Sequence, residues 1–202
     1  MSGNELAGVK VADFSAIMSG PYCTRLMASL GADVVKIEPP NGEHLRTTPP
    51  LRAGNSVYFG MLNAGKKSVV IDLRNPEGRR AAEGIIAWAD VLIENFRPGV
   101  MRKFGLDYES VAQRYPRIVY CSISGYGQDG PWVDRPAVAQ VVHAVSGYDM
   151  ALLHAQGQLD APLATGPFIA DAMAGALAFG GILAGLRARD HTGEGRYVDL
   201  SL

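Results

Sequence analysis

Cysteine is scarce: Cys23 and Cys121 are the only two in 202 residues, both in apolar contexts. That excludes a disulfide scaffold and a paired thiolate metal site, and both read as reduced core residues of a cytosolic protein. An excess of either charge is also missing. Nineteen Lys and Arg face 20 Asp and Glu, which points to neither nucleic acid nor an anionic membrane. The opening MSGNELAGVK lacks the apolar stretch of a secretory signal.

Several catalytic signatures are absent too. A dinucleotide fingerprint needs Gly-x-Gly-x-x-Gly after a strand. SAIMSGP has one glycine, and GYGQDG runs into Pro131 and Trp132 rather than a helix. A hydrolase elbow needs Gly-x-Ser-x-Gly, whereas Ser124 follows Ser122-Ile. The four histidines, at 44, 143, 154 and 191, lack metal-ligand spacing, so no metal is expected. There is no Walker loop.

What the chain does have is a hydrophobic fraction of 48%, ample for a core, and an alternation of short apolar runs with helical stretches. Val9–Phe14, Val34–Ile37, Ser68–Asp72, Val91–Glu94 and Ile118–Ser122 are predicted strands, with YVDLSL beginning another. They are continuous rather than alternating, as strands covered on both faces are. Pro21–Leu30 and Pro76–Trp88 are predicted helices, each opening on proline. The pattern predicts an α/β fold with an open parallel sheet flanked by helices, and residues 39–67 as a long loop. Ligands of such sheets lie beyond the carboxyl ends of the strands, which directs attention to SAIMSGPY, EPPNGEHLR, LRNPEG, NFRPGV and ISGYGQDGP.

One long apolar run stands out. Phe168–Leu186 has a single charge, Asp171, and nine of the fifteen residues from Ala172 to Leu186 are Ala or Gly. Its length fits a membrane span, but the small side chains favour a buried helix packed closely against neighbouring backbone. Asp171 at its head reads as an N-cap, where unpaired N–H groups and the helix dipole hold a carboxylate ionised.

Five segments, LAGVKVADFSAIMSGPYCTRLMASLGADVVKIEPPNGEHLR, NAGKKSVVIDLRNPEGR, ADVLIENFRPGVMRKFGLDYE, PRIVYCSISGYGQDGP and IADAMAGALAFGGILAGLRARDHTGEGRYVDLSL, together resemble the class III CoA-transferases and their acyl-CoA racemase relatives. The resemblance runs in order over nearly the whole chain. It implies a Rossmann-like CoA-binding and catalytic region over residues 1–202, a smaller domain further on, and an interlocked homodimer. It also implies that Asp171 attacks an acyl-CoA, giving a mixed anhydride and then an aspartyl-CoA thioester, from which a carboxylic acid acceptor takes the CoA. Coenzyme A is thus the implied ligand. Met18 and Ser19 would line its site, Arg74 and the segment ENFRPGVMRKF would contact it, and from the latter come Asn95, Phe96, Arg97, Lys103 and Phe104. Met18 stands where some transferases carry glutamine, and Pro39 where a basic residue often follows the equivalent of Glu38.

The racemase branch uses a histidine and an aspartate ahead of its Ser-Gly pair. Here PAVAQVVHAVSG puts Val138 and Ala139 at those positions, with His143 five residues past Val138. Valine accepts no proton, so transfer is favoured over α-proton exchange. A non-catalytic CoA-binding subunit is the third reading.

Overall fold

The computed structural model describes residues 4–157 and 168–202. In chain order the elements are β1 (Lys10–Asp13), α1 (Ser19–Ser29), β2 (Asp33–Glu38), β3 (Leu51–Arg52), β4 (Asn55–Ser56), α2 (Val57–Asn63), β5 (Lys67–Val70), α3 (Pro76–Trp88) and β6 (Val91–Glu94). They continue with α4 (Tyr108–Arg114), β7 (Val119–Ser124), α5 (Ala139–Ser146), α6 (Tyr148–Gln156), α7 (Ile169–Thr192) and β8 (Arg196–Ser201). Six strands form one sheet in the order β5-β2-β1-β6-β7-β8, every pairing parallel. Numbered within the sheet alone, that is the doubly wound order 3-2-1-4-5-6. β3 and β4 form a separate antiparallel hairpin.

The continuous apolar strands are what two covered faces require. On one face Val11, Val91, Ile93, Val119, Cys121 and Ile123 pack with Cys23 and Met27 of α1 and with Ala174, Ala178 and Ile182 of α7. On the other, Ala12, Leu92 and Tyr120 pack with Ala82 and Ile86 of α3 and Val111 of α4. Each large aliphatic residue so enclosed contributes about 1.5–3 kcal/mol. α3 spans its expected residues, with Asn75 accepting the Gly78 N–H as its cap. α1 begins earlier than expected, at Ser19, so Pro21 stands third in the helix. The stretch expected as loop contains α2, capped by the Ser56 hydroxyl.

α7 departs from the expectation of full burial. One face lies on the sheet and α1, while Met173 and Leu177 on the other are each 60% exposed. By length and composition it is apolar enough to cross a membrane, yet its inner face is a packed core surface. The small residues explain the closeness of that packing. A Cβ added to Gly175 would stand 2.5 Å from the Ser19 carbonyl oxygen, so α7 seats against the first turn of α1 only because position 175 has no side chain.

Candidate functional site

The strand order reverses at β1 and β6, and the chain leaving each strand there turns apart to open a crevice. Asn95 ties the two exits together. Its Oδ1 accepts the Ala16 N–H at 2.8 Å, and its Nδ2 donates to the Ala16 carbonyl at 2.7 Å and to Ser19 Oγ at 3.2 Å. Glu94, beside it, accepts the Phe96 N–H at 2.8 Å. Burial pushes the Glu94 carboxyl up to about 7 against the pull of bonds from Ser122 and Phe96.

Asp171 stands at one end of the crevice. It is the third residue of α7 rather than its cap, which corrects the sequence expectation; Phe168 holds the cap position without a side-chain bond. The capping work falls to another helix. His143, 3% exposed on α5, accepts the Ala170 N–H at Nε2 over 3.1 Å. Asp171 is thereby left to receive the Ser19 N–H and hydroxyl instead, at the opening of α1. Two helix N-termini thus converge on one carboxylate. Its ionisation also differs from expectation. Burial drives the carboxyl above its ordinary range, and the Ser19 bonds only partly reverse this. Desolvation depends on tertiary packing and is invisible in the sequence.

Two cavities lie along the crevice. The smaller, of about 290 Å³, is bordered by Asp171, Met18, Ser19, Asn95, Phe96 and Arg97, six of the nine residues that the sequence nominated. The larger, of about 590 Å³, takes in Arg74, Phe96 and Phe104. Arg74 is held by Asp72, with Nε at 2.8 Å from Oδ1. Lys103 is exposed and borders neither cavity.

Buried charges lock the floor beneath these openings. Lys36 Nζ lies 2.6 Å from Glu43 Oε2 and donates to the Ser15 carbonyl at 2.7 Å. Lys66 pairs with Asp13 at 3.0 Å. Burial alone would raise Asp13, but Lys66, Lys36, Ser15 and Thr24 outweigh it and hold the group at about 2. At the rim, Arg46 grips Glu38 through Nε and Nη2, both at 2.6 Å, and stacks over Phe59. Both cysteines are buried, and burial raises their thiols above the ordinary range. Among the described residues, no group of three potential ligands is arranged to hold a metal.

Sequence reasoning missed Glu43, Lys36 and the part that His143 plays. The signal was slight: Glu43 contacts Ile17 26 residues away, and His143 reaches Ala170 across 27.

A parallel sheet of this order, with a crevice at its reversal point, defines a doubly wound α/β protein. The profile of CoA-transferase family III matches residues 6–202, and the chain belongs to that family. It is 40% identical to the acetyl-CoA:oxalate CoA-transferase of Acetobacter aceti, over 96% of this chain and 50% of that protein. It is 39% identical to the succinyl-CoA–L-malate CoA-transferase beta subunit of Chloroflexus aurantiacus, over 98% of this chain and 49% of that one. The chain therefore spans about half the length of the curated relatives it matches. A CaiB/BaiF family protein from Brucella suis superposes with a TM-score of 0.89 at 34% identity, over 98% of this chain and 53% of that one.

Proposed function

We propose that the full protein transfers CoA from an acyl-CoA donor to a carboxylic acid, with Asp171 as the nucleophile. The observation that carries this is the Asp171 carboxylate bordering the cavity at the strand-order reversal, where α1 and α7 both begin. The carboxylate attacks the thioester carbonyl and the CoA thiolate leaves, giving an acyl-aspartyl anhydride. The thiolate then attacks the aspartyl carbonyl, releasing the donor acid and leaving aspartyl-CoA. The acceptor carboxylate attacks that thioester and again expels thiolate, which takes the acceptor's acyl group and frees Asp171. N–H groups at helix starts suit each oxyanion on this path.

The larger cavity suits the nucleotide of CoA, with Arg74 for phosphate and Phe96 and Phe104 as flat apolar walls. Met18, Ser19, Asn95 and Arg97 then face the acyl end, and exposed Lys103 meets at most the outer phosphates. An interlocked cytosolic homodimer completes this reading, and such pairing would cover the apolar outer face of α7.

Against α-proton exchange stands the state of His143. Its Nε2 already accepts a backbone N–H, and Val138 has no proton to trade. The test is to incubate the full-length protein with a panel of acyl-CoAs and weigh it. An adduct on Asp171 that is lost in Asp171→Asn supports transfer. Rapid exchange of the α-proton with deuterated water, without adduct, overturns it.

A further inference from the structure

Ile17 has φ of +65°, in the left-handed region that a β-branched residue leaves unless its surroundings hold it there. Several groups do so. Glu43 Oε1 accepts its N–H at 2.7 Å, and Asn95 pins the preceding Ala16 on both its N–H and its carbonyl. Glu43 is in turn gripped by Lys36, both side chains being 1–2% exposed, and Lys36 also holds the Ser15 carbonyl. A buried ion pair is a poor device for stability alone, because desolvating two charges offsets their attraction. Here its ends fix positions 15 and 17 of one short loop. The side chain so presented is 45% exposed, and among the described residues Ile17 and Phe96 are the two that border both cavities.

We propose that Ile17 is a binding residue for the linker arm of CoA, forming with Phe96 the throat between the cavities, and that Glu43 and Lys36 are positioning residues that aim it. This rests on the CoA-transferase reading. The nucleotide occupies the larger cavity and the thioester the smaller one, so the arm between them crosses the throat. A glycine in place of Ile17 adopts the left-handed backbone freely and removes only the apolar wall.

The test is calorimetric titration of the full-length protein with CoA and with adenosine 3′,5′-bisphosphate, which lacks the arm. Ile17→Gly is expected to weaken CoA roughly 3- to 10-fold, the scale of a half-buried aliphatic contact, and to leave the bisphosphate unchanged. Ile17→Asn, also compatible with left-handed backbone, gives the same selective loss. Glu43→Gln weakens CoA in the wild-type background but adds nothing to Ile17→Gly, because it acts through that side chain. Equal CoA affinity in Ile17→Gly and wild type overturns the proposal. So does a parallel loss of both ligands, or additivity with Glu43→Gln. A wild-type protein that binds neither ligand overturns the CoA-transferase reading instead.

Discussion

The smaller cavity gathers the first turns of α1 and α7 around the Asp171 carboxylate, with Asn95 and Arg97 beside them, whereas the larger is bordered by paired side chains, with Arg74 held by Asp72 and Glu38 clasped by Arg46. Helix ends cannot be repositioned one atom at a time, since moving one moves the whole element. Side-chain partners can be lost singly, with the rest staying in place. Damage at the first cavity is therefore expected to fall on kcat, and damage at the second on KM.

The sharpest break of this contrast is Asp171→Ala. It is expected to lower kcat roughly 10³-fold or more with KM for acyl-CoA nearly unchanged, measured by steady-state transfer. Next comes Gly175→Ala. The new methyl meets the Ser19 carbonyl and levers α7 away from α1, and a displacement near 1 Å costs on the order of 10²-fold in kcat. A variant with unaltered kcat would show that the helix contact does not place the carboxylate.

Ser19→Ala probes the ionisation of Asp171. The Ser19 bonds favour the charged carboxylate against burial, so removing the hydroxyl moves its pKa further up. The acid limb of the kcat/KM profile should shift to higher pH, with a loss that is largest on that limb and shrinks as pH rises. A uniform loss at all pH values would point to geometry alone. The smallest effect belongs to the second cavity: Arg74→Ala should raise KM roughly three- to tenfold, flatten its salt dependence and spare kcat. Arg80→Ala, altering an exposed group outside both cavities, serves as its control.

Much of this architecture is legible in the sequence. Val91–Glu94 and Pro76–Trp88 are observed as expected, because a doubly covered strand and a proline-headed amphipathic helix are local patterns. Asp171 was legible as a residue but not in its local role. A carboxylate heading an apolar run reads as a cap, and nothing nearby in sequence reveals that a histidine 27 positions before Ala170 takes that place. α2 was missed because its seven residues, with glycine in their midst, carry too little periodicity to stand out from a loop. The Lys36–Glu43 pair was beyond reach for a different reason. Charged residues in a strand or the loop after it usually face water, yet here Lys36 within β2 and Glu43 beyond it are both buried.

The contact at Gly175 also bears on which substitutions α7 can accumulate. Gly180 lies in the same helix, yet a Cβ there would meet nothing within 4 Å. Gly180→Ala should raise the unfolding midpoint by roughly 2–4 °C, as replacing glycine in a helix interior gives about 1 kcal/mol. Two glycines five residues apart thus have opposite tolerances, one closed to any side chain and one open to improvement. A library that scans this helix should show a cliff at one position and a plateau at the other. Gly181 and Gly185 further along face valine side chains, whereas Gly175 alone of these three meets backbone, so the glycine one turn past the carboxylate has the least room to yield.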